Sequence, residues 1–243
     1  MTDSGIFSVQ GKVVLVVGAS RGIGKAIAKL FSDQGAIVAG ASRRIDPEHG
    51  LSYFYETDVR DRIAVQDMVD ELVSELGKID VLVNAFGVAS VSAQDEYFSS
   101  MLEVNLAGVF SVCSSVIPSM LRCSSGSIIN IASVAASRSI PNNPAYMASK
   151  GGVVSLTKAL ARDYGDKGLR ANCISPGYIL TDMTNDSYKK LDAQRARAGL
   201  SFLGRWGMPS EIAPLAVFLG SDASSFITGN EIFVDGGWHA KGL

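Results

Sequence analysis

Apolar positions fall into two patterns that alternate along the chain. One is a short apolar run rich in β-branched residues, seen at Lys12–Val17, Ala36–Ala41, Asp80–Val83, Ser127–Ala132, Arg170–Ser175 and Glu231–Val234, with Leu51–Glu56 as a further strand. Such runs suit strands covered on both faces of a parallel sheet. The other is a helical stripe. Ile23, Ala26, Ile27, Leu30 and Phe31 recur at i, i+3, i+4, i+7 and i+8. Val65, Met68, Val69, Leu72, Val73 and Leu76 form a second stripe, which Gly77 stops.

A longer helical region around Met101–Leu121 carries two poor helix formers, Asn105 and Gly108, in mid-pattern. Asn105 reads either as a satisfied buried amide or as the mark of a bent helix with a freed carbonyl. Asn143-Pro144 predicts a helix start, with the Asn side chain accepting from orphan N–H groups and Pro at the first helical position. That helix continues through Tyr146, Lys150, Val153, Leu156 and Leu160 to Tyr164-Gly165, and a last helix covers Ser210–Leu219.

Strand and helix alternate without linker, repeat or low-complexity tract. The economical fold is one α/β domain over residues 1–243, a doubly wound parallel sheet with its ligand outside the C-terminal strand ends. Only Tyr178–Trp206 lacks the pattern, mixing aromatics with charge, and it reads as a substrate lid. Its Lys189, Lys190, Arg195 and Arg197 read as a solvated helix face rather than an anion clamp.

Composition narrows the function classes. A chain of 243 residues that is 47% hydrophobic buries a large core, and a net charge of −2 gives no electrostatic reason to expect nucleic acid or an anionic membrane. Met1–Lys12 lacks a signal-type apolar stretch and no later run approaches a membrane span, so the expectation is a soluble, cytoplasmic protein. Cys113, Cys123 and Cys173 read as free thiols, and with His49 and His239 as the only histidines a metal site is not expected.

The chemistry enters at two places. Gly18-Ala19-Ser20-Arg21-Gly22-Ile23-Gly24 joins the first strand to the first helix, where free N–H groups and missing side chains accommodate a phosphate. Ser42, Arg43 and Arg44 end the second strand where an NAD site carries an acid, and the nearest acid, Asp46, comes several residues too late. With Arg21 in the turn, this favours NADP(H), leaving NAD(H) as the alternative. Further on, Ser133 ends a buried strand, while Tyr146 and Lys150 lie one helical turn apart on one face. A lysine cation beside a phenol draws its pKa toward working pH, which suggests proton transfer at a carbonyl or alcohol oxygen that Ser133 holds.

Along nearly its whole length the chain resembles the short-chain dehydrogenase/reductase family. The resemblance rests on Gly18-x-x-x-Gly22-x-Gly24, Asp58, Asn105, Ser133, Tyr146-x-x-x-Lys150, and Pro176-Gly177 with Thr181. It implies a Rossmann domain with a seven-stranded sheet of order 3-2-1-4-5-6-7, and a homotetramer acting on a small-molecule substrate. It implies a tetrad of Asn105, Ser133, Tyr146 and Lys150, with Tyr146 as general acid/base, Lys150 also on the nicotinamide ribose, and Asn105 holding a water. Asp58 and Val59 become adenine contacts, Ile179 and Thr181 carboxamide contacts, and Asn84 and Gly87 weaker backbone contacts.

Two positions depart from the family pattern: Val17 stands where Thr is frequent, and Phe86 puts a bulky ring near the expected cofactor. Residues 176–184 are similar to 3-oxoacyl-carrier-protein reductases, and 204–207 with 234–238 are equally similar to sugar and polyol dehydrogenases. Arg122 alone supplies positive charge at Met120–Ser125, where an acidic carrier would dock, which favours a small hydroxy or keto compound. The alternatives are a 3-oxoacyl-carrier-protein or acyl-CoA reductase and, prompted by Phe86, a non-catalytic cofactor-binding regulator.

Overall fold

The computed structural model describes residues 5–45, 49–89 and 95–241, so Asp46 lies outside the described residues. Its strands are β1 (Val13–Val17), β2 (Ile37–Ser42), β3 (Tyr53–Glu56), β4 (Val81–Asn84), β5 (Gly126–Ile131), β6 (Leu169–Pro176) and β7 (Glu231–Val234). They form one sheet in the order β3-β2-β1-β4-β5-β6-β7, every neighbouring pair parallel. This is the order expected from the resemblance. It reverses between β1 and β4, and the crevice at their C-terminal ends is where such sheets take ligands.

Alternate residues of each strand feed opposite layers. Leu15 and Val17 join the core built with α2 (Arg62–Leu76), α4 (Gly108–Arg122) and α5 (Pro144–Tyr164); α1 (Gly22–Asp33) lies on the other face. There Val14 and Val16 pack with Ile27 and Phe31 of α1 and with Ile212 and Leu219. Those last two belong to the final helix, Pro209–Gly220, which is α8 once α3 (Asp95–Leu102), α6 (Asn185–Tyr188) and α7 (Leu191–Ala198) are counted. Since both faces are covered, β1 is buried at all five positions.

The long middle helix differs from expectation. Asn105 and Gly108 do not interrupt it: a π-helical turn, Glu103–Ala107, carries α3 into α4. The resulting run, Tyr97–Arg122, has 26 residues, and its most apolar 18-residue window has a mean hydropathy of 1.6, long and apolar enough by composition to cross a membrane. The expectation that no stretch reaches that length is therefore corrected. Its most apolar window is 56% buried within the protein, and the helix packs on α2, α5, β4 and β5.

Gly108 has a packing reason. A Cβ there would stand 2.8 Å from Val59 Cγ2 and 3.3 Å from Phe86 Cε2, so both side chains occupy the space its missing side chain leaves. The Phe86 ring is thus turned against α4.

Polar side chains inside the sheet fix α5 to it. Asn84 Nδ2 donates to Asn130 Oδ1 at 2.8 Å and to Cys113 Sγ at 3.4 Å, and Asn130 Nδ2 donates to Thr157 Oγ1 at 2.8 Å. Cys173 Sγ donates to the same hydroxyl at 3.0 Å, and Thr157 passes its own proton to the Val153 carbonyl at 2.8 Å. The chain of bonds spans β4, β5, β6 and α5. Asn130→Ala leaves Asn84 and Thr157 short of partners in a dry interior, at a cost of about 2–3 kcal/mol. The expected result is a melting temperature lower by about 4–12 °C; thermal unfolding followed by circular dichroism checks it, and an unchanged midpoint would show the network to be dispensable.

Candidate active site

The turn after β1 is shaped by close approach. Gly18 has φ +92°, and a Cβ on it would lie 2.7 Å from the Phe86 nitrogen and 2.8 Å from the Ala85 carbonyl carbon. On Gly24 a Cβ would meet the Gly18 oxygen at 2.1 Å. Glycine at these two positions lets the turn close on the end of β4 and bring backbone N–H groups to one point. Arg21 is the N-cap of α1 and makes no side-chain cap bond, so no side chain caps the helix there. Gly22 also has positive φ (+55°), and Ser20 and Ile23 flank the turn, Ile23 half-buried against the α1 core layer.

Thr181 faces this turn, since a Cβ on Gly22 would lie 3.4 Å from its methyl group. Arg21 reaches Asp182 at 3.9 Å, both side chains 67% exposed, an ion pair too solvated to hold anything alone. Pro176 ends β6, and Gly177 N donates to the Val234 carbonyl at 3.1 Å. Ile179 is buried in the α1/α8 layer, so only its backbone, bridged to Gly207, faces outward.

At the end of β2 the Ser42 hydroxyl donates to the Arg44 carbonyl, which occupies its proton locally. Asp58 accepts from Arg60 at 3.0, 3.1 and 2.6 Å. This pair, with a further pull from Arg43, holds the Asp58 carboxyl below its ordinary range. Arg43 and Asp58 follow the ends of β2 and β3, which pair at Ser42 and Glu56, and Val59 is buried. Asn84 does not join them by its side chain, which is committed to the sheet network.

The catalytic candidates meet beyond β5. The Ser133 hydroxyl accepts from the Ala135 N–H at 3.1 Å, and its influence on the Tyr146 phenol is to lower that group's pKa. Tyr146 and Lys150 share one face of α5 as expected, but two local expectations are corrected. Asn143 adopts φ −141°, ψ 45° and makes no side-chain cap bond; its Oδ1 is buried without a partner. Nor does Lys150 lower the phenol's pKa. Its Nζ donates to the Ile131 carbonyl at 2.7 Å and stands 5.9 Å from the Tyr146 ring centroid. Burial pushes the Tyr146 pKa up, the Ser133 hydroxyl opposes this, and Tyr178 adds to the rise. Burial also pushes Lys150 down to about 8.

Asn105 sits in the π turn fully buried, accepting from Val88 N–H at 2.8 Å and donating to the Val88 carbonyl at 2.9 Å and to Ser149 Oγ at 3.1 Å. The reading as a satisfied buried amide holds, and the helix is π-helical at that point, with the Gly108 N–H bonded to the Glu103 carbonyl. A Cβ on Gly87 would come within 3.2 Å of Asn105 Oδ1 and 3.6 Å of Lys150 Nζ, which ties the loop after β4 to the tetrad.

Two neighbours were not singled out from the sequence. Ser149 donates to the Tyr146 carbonyl at 2.8 Å while accepting from Asn105; its signal was a polar residue on the buried stripe of α5. Tyr178 leaves the end of β6 and packs its ring against Trp206 and Trp238; its signal was an aromatic ring directly after Pro176-Gly177. The assembled site presents a protonated phenol and a hydroxyl beside a glycine cradle suited to a diphosphate. A dinucleotide fits that cradle because side chains are missing where its phosphates would approach.

Comparison with known proteins points the same way. The family model described as enoyl-(acyl carrier protein) reductase matches residues 18–239. The chain is 38% identical to the D-threitol dehydrogenase of Mycolicibacterium smegmatis, across 97% of this chain and 95% of the relative. It is 41% identical to the 3-oxoacyl-(acyl-carrier-protein) reductase of Chlamydia trachomatis, across 93% and 96%. Among solved structures it is similar to a gluconate 5-dehydrogenase from Burkholderia cenocepacia in complex with NADP and tartrate, with a TM-score of 0.92 at 30% identity and 98% of both chains covered.

Burying Lys150 has a consequence for stability. Because its folded pKa, about 8, lies below the ordinary lysine value of 10.5, the unfolded chain binds more protons between those pH values. Its penalty is therefore full below about pH 8 and fades as pH rises toward 10.5. Lys150→Met removes the penalty, so its stability advantage over the parent should shrink steadily from pH 7.5 to pH 10 in urea titrations, with the buried cysteines common to both. An advantage independent of pH would mean that Lys150 is not desolvated.

Proposed function

As the chain belongs to the short-chain dehydrogenase/reductase family, enzymes acting on CH–OH groups, we propose that it moves hydride between NADP(H) and a small ketone or secondary alcohol of sugar, polyol or hydroxy/keto type. The observation that carries this reading is the gathering of Ser133, Tyr146 and Lys150 beyond the end of β5, with Lys150 Nζ 5.9 Å from the Tyr146 ring centroid and the loop at Gly87 tying the group to the glycine cradle.

In the reducing direction the Ser133 hydroxyl, which accepts from the Ala135 N–H, is free to donate to the substrate oxygen and hold it against Tyr146. Tyr146 then gives its proton to that oxygen as the C–H bond forms; in the oxidising direction it takes the proton back. Lys150, fixed on the Ile131 carbonyl one helical turn from Tyr146, holds the nicotinamide ribose. Gly18, Ser20, Arg21, Gly22, Ile23 and Gly24 hold the diphosphate, Arg43 and Ser42 the adenosine ribose, Asp58 and Val59 the adenine, and Thr181 with the Pro176, Gly177 and Ile179 backbone the nicotinamide end. The bound nicotinamide supplies or accepts the hydride.

The name of the threitol relative and that of the gluconate neighbour support a polyhydroxylated substrate. The Chlamydia relative supports a 3-oxoacyl-carrier-protein substrate instead, against which Arg122 is a thin basic surface at the end of α4. Phe86, the motive for a non-catalytic regulator, is accounted for by its packing against Gly108. Residues 178–206 act as the substrate lid of a single Rossmann domain in a cytoplasmic protein. The apolar groove of Leu102, Leu106, Phe110 and Leu156 supports self-association, of which a homotetrameric mass in light scattering is the sign.

NADPH oxidation assayed against polyol-derived ketones and 3-oxoacyl thioesters tests the reading. Tyr146→Phe should lower kcat/KM by about 10²–10⁴-fold on the substrate found, and near-parental turnover would remove Tyr146 from the mechanism. NADPH should exceed NADH in kcat/KM by about tenfold or more, with Arg43→Ala closing the gap, since hydrogen bonds to a charged group contribute about 1.5–3 kcal/mol. A preference for NADH would contradict the cofactor assignment.

A further inference from the structure

We propose that Tyr178 is the positioning residue on which the substrate segment 178–206 is seated, so that one aromatic ring sets where a substrate is held against Tyr146. The proposal deepens the oxidoreductase reading above and rests on it.

Three separated stretches of chain converge on this ring. Trp238, from the tail after β7, stacks on it with centroids 5.1 Å apart and planes 11° from parallel. Trp206, at the far end of the segment, meets it at 5.1 Å and 47°. Arg197 of α7 places its guanidinium carbon 4.9 Å from the ring centroid. The expectation that Arg197 belongs to a solvated helix face is corrected: its charge is spent on the π face of Tyr178.

The contacts extend outward and are backed by the main chain. Tyr188 meets Trp206 edge-on at 5.3 Å and 87°, and Trp206 Nε1 donates to the Gln194 carbonyl at 3.0 Å. Gly207 N donates to the Tyr178 carbonyl at 2.9 Å, and Leu180 N returns a bond to the Gly207 carbonyl at 2.9 Å. Lys241 closes the outer side through a bond to the Gly199 carbonyl.

The ring's position is what gives this functional weight. Tyr178 follows Pro176-Gly177 at the end of β6, and β6 pairs with β5 in the register Ile131↔Ile174, so Tyr178 and Ser133 leave the C-terminal ends of neighbouring strands. A substrate bound to Tyr146 therefore meets a wall whose place depends on the Tyr178 stack. Edge and face contacts between aromatic rings are directional, so a substituted aliphatic side chain fills part of the volume without restoring the seat.

The chain's only tryptophans, Trp206 and Trp238, both touch this ring, so their emission reports the seat without any substrate. The experiment compares parent, Tyr178→Phe, Tyr178→Leu and Arg197→Met as full-length proteins. It reads tryptophan emission, the Kd for NADPH from its own fluorescence, and KM and kcat on the best carbonyl substrate.

Tyr178→Leu should shift emission to the red and raise KM about tenfold with kcat and NADPH affinity nearly unchanged, the mark of lost substrate positioning. Tyr178→Phe, which keeps the stacked ring, should keep the parental emission, and Arg197→Met should raise KM by about two- to fivefold. Parental emission and KM in Tyr178→Leu would overturn the proposal. So would Tyr178→Phe behaving like Tyr178→Leu, or KM, kcat and NADPH affinity all failing together. A parent with no carbonyl turnover would overturn the oxidoreductase reading instead, while emission and NADPH binding would still decide whether Tyr178 seats the segment.

Discussion

The structure depends on keeping a phenol, a hydroxyl and an ammonium together where little water reaches. Burial holds Tyr146 protonated and pushes Lys150 down to about 8, and both shifts mark polar groups held in a poorly solvated place. Such an arrangement opposes stability, and the surrounding protein offsets it with fixed partners. Ile131 gives its carbonyl to Lys150, the Ala135 N–H fixes the Ser133 hydroxyl, and Asn130 with Thr157 anchors α5 to the sheet. Strongly shifted groups gathered at the ligand end of a parallel sheet are characteristic of functional sites.

Close backbone approach is the second constraint. The β1 turn meets the end of β4 so tightly that Gly18 and Gly24 have no room for a Cβ, and that contact builds the crevice at the reversal of strand order. The π turn around Asn105 serves the same end from the other side. It lets a continuous apolar helix pass the site while Asn105 ties the loop at Val88 to Ser149 on α5. Irregular helical turns of this kind occur frequently at functional sites.

Much of this was legible in the sequence, because parallel strands buried on both faces and helices with one apolar stripe leave strong periodic signals. The seven strands, the glycine turn and the shared face of Tyr146 and Lys150 follow from local spacing alone. What local spacing misses depends on contacts distant in the chain. Lys150 was expected to act on the neighbouring phenol, yet the Ile131 carbonyl, brought in by the sheet, takes its hydrogen bond. Asn143 has cap chemistry without cap geometry. Gly108 looked like a helix breaker until Val59 and Phe86, from two other stretches, filled the space beside it. Arg197 looked solvated because its partner ring lies 19 positions earlier.

The protonation state of Tyr146 is the centre of the account, and a titration of ring-labelled tyrosine by carbon NMR measures it directly, with Tyr146→Phe identifying the resonance. The account predicts a phenol that stays protonated through neutral pH and ionises above the ordinary tyrosine value of 10.0 in the cofactor-free protein. A Tyr146 already ionised near neutrality would show that Lys150, rather than burial and Ser133, controls it, and would contradict the proton-donor role derived from this geometry.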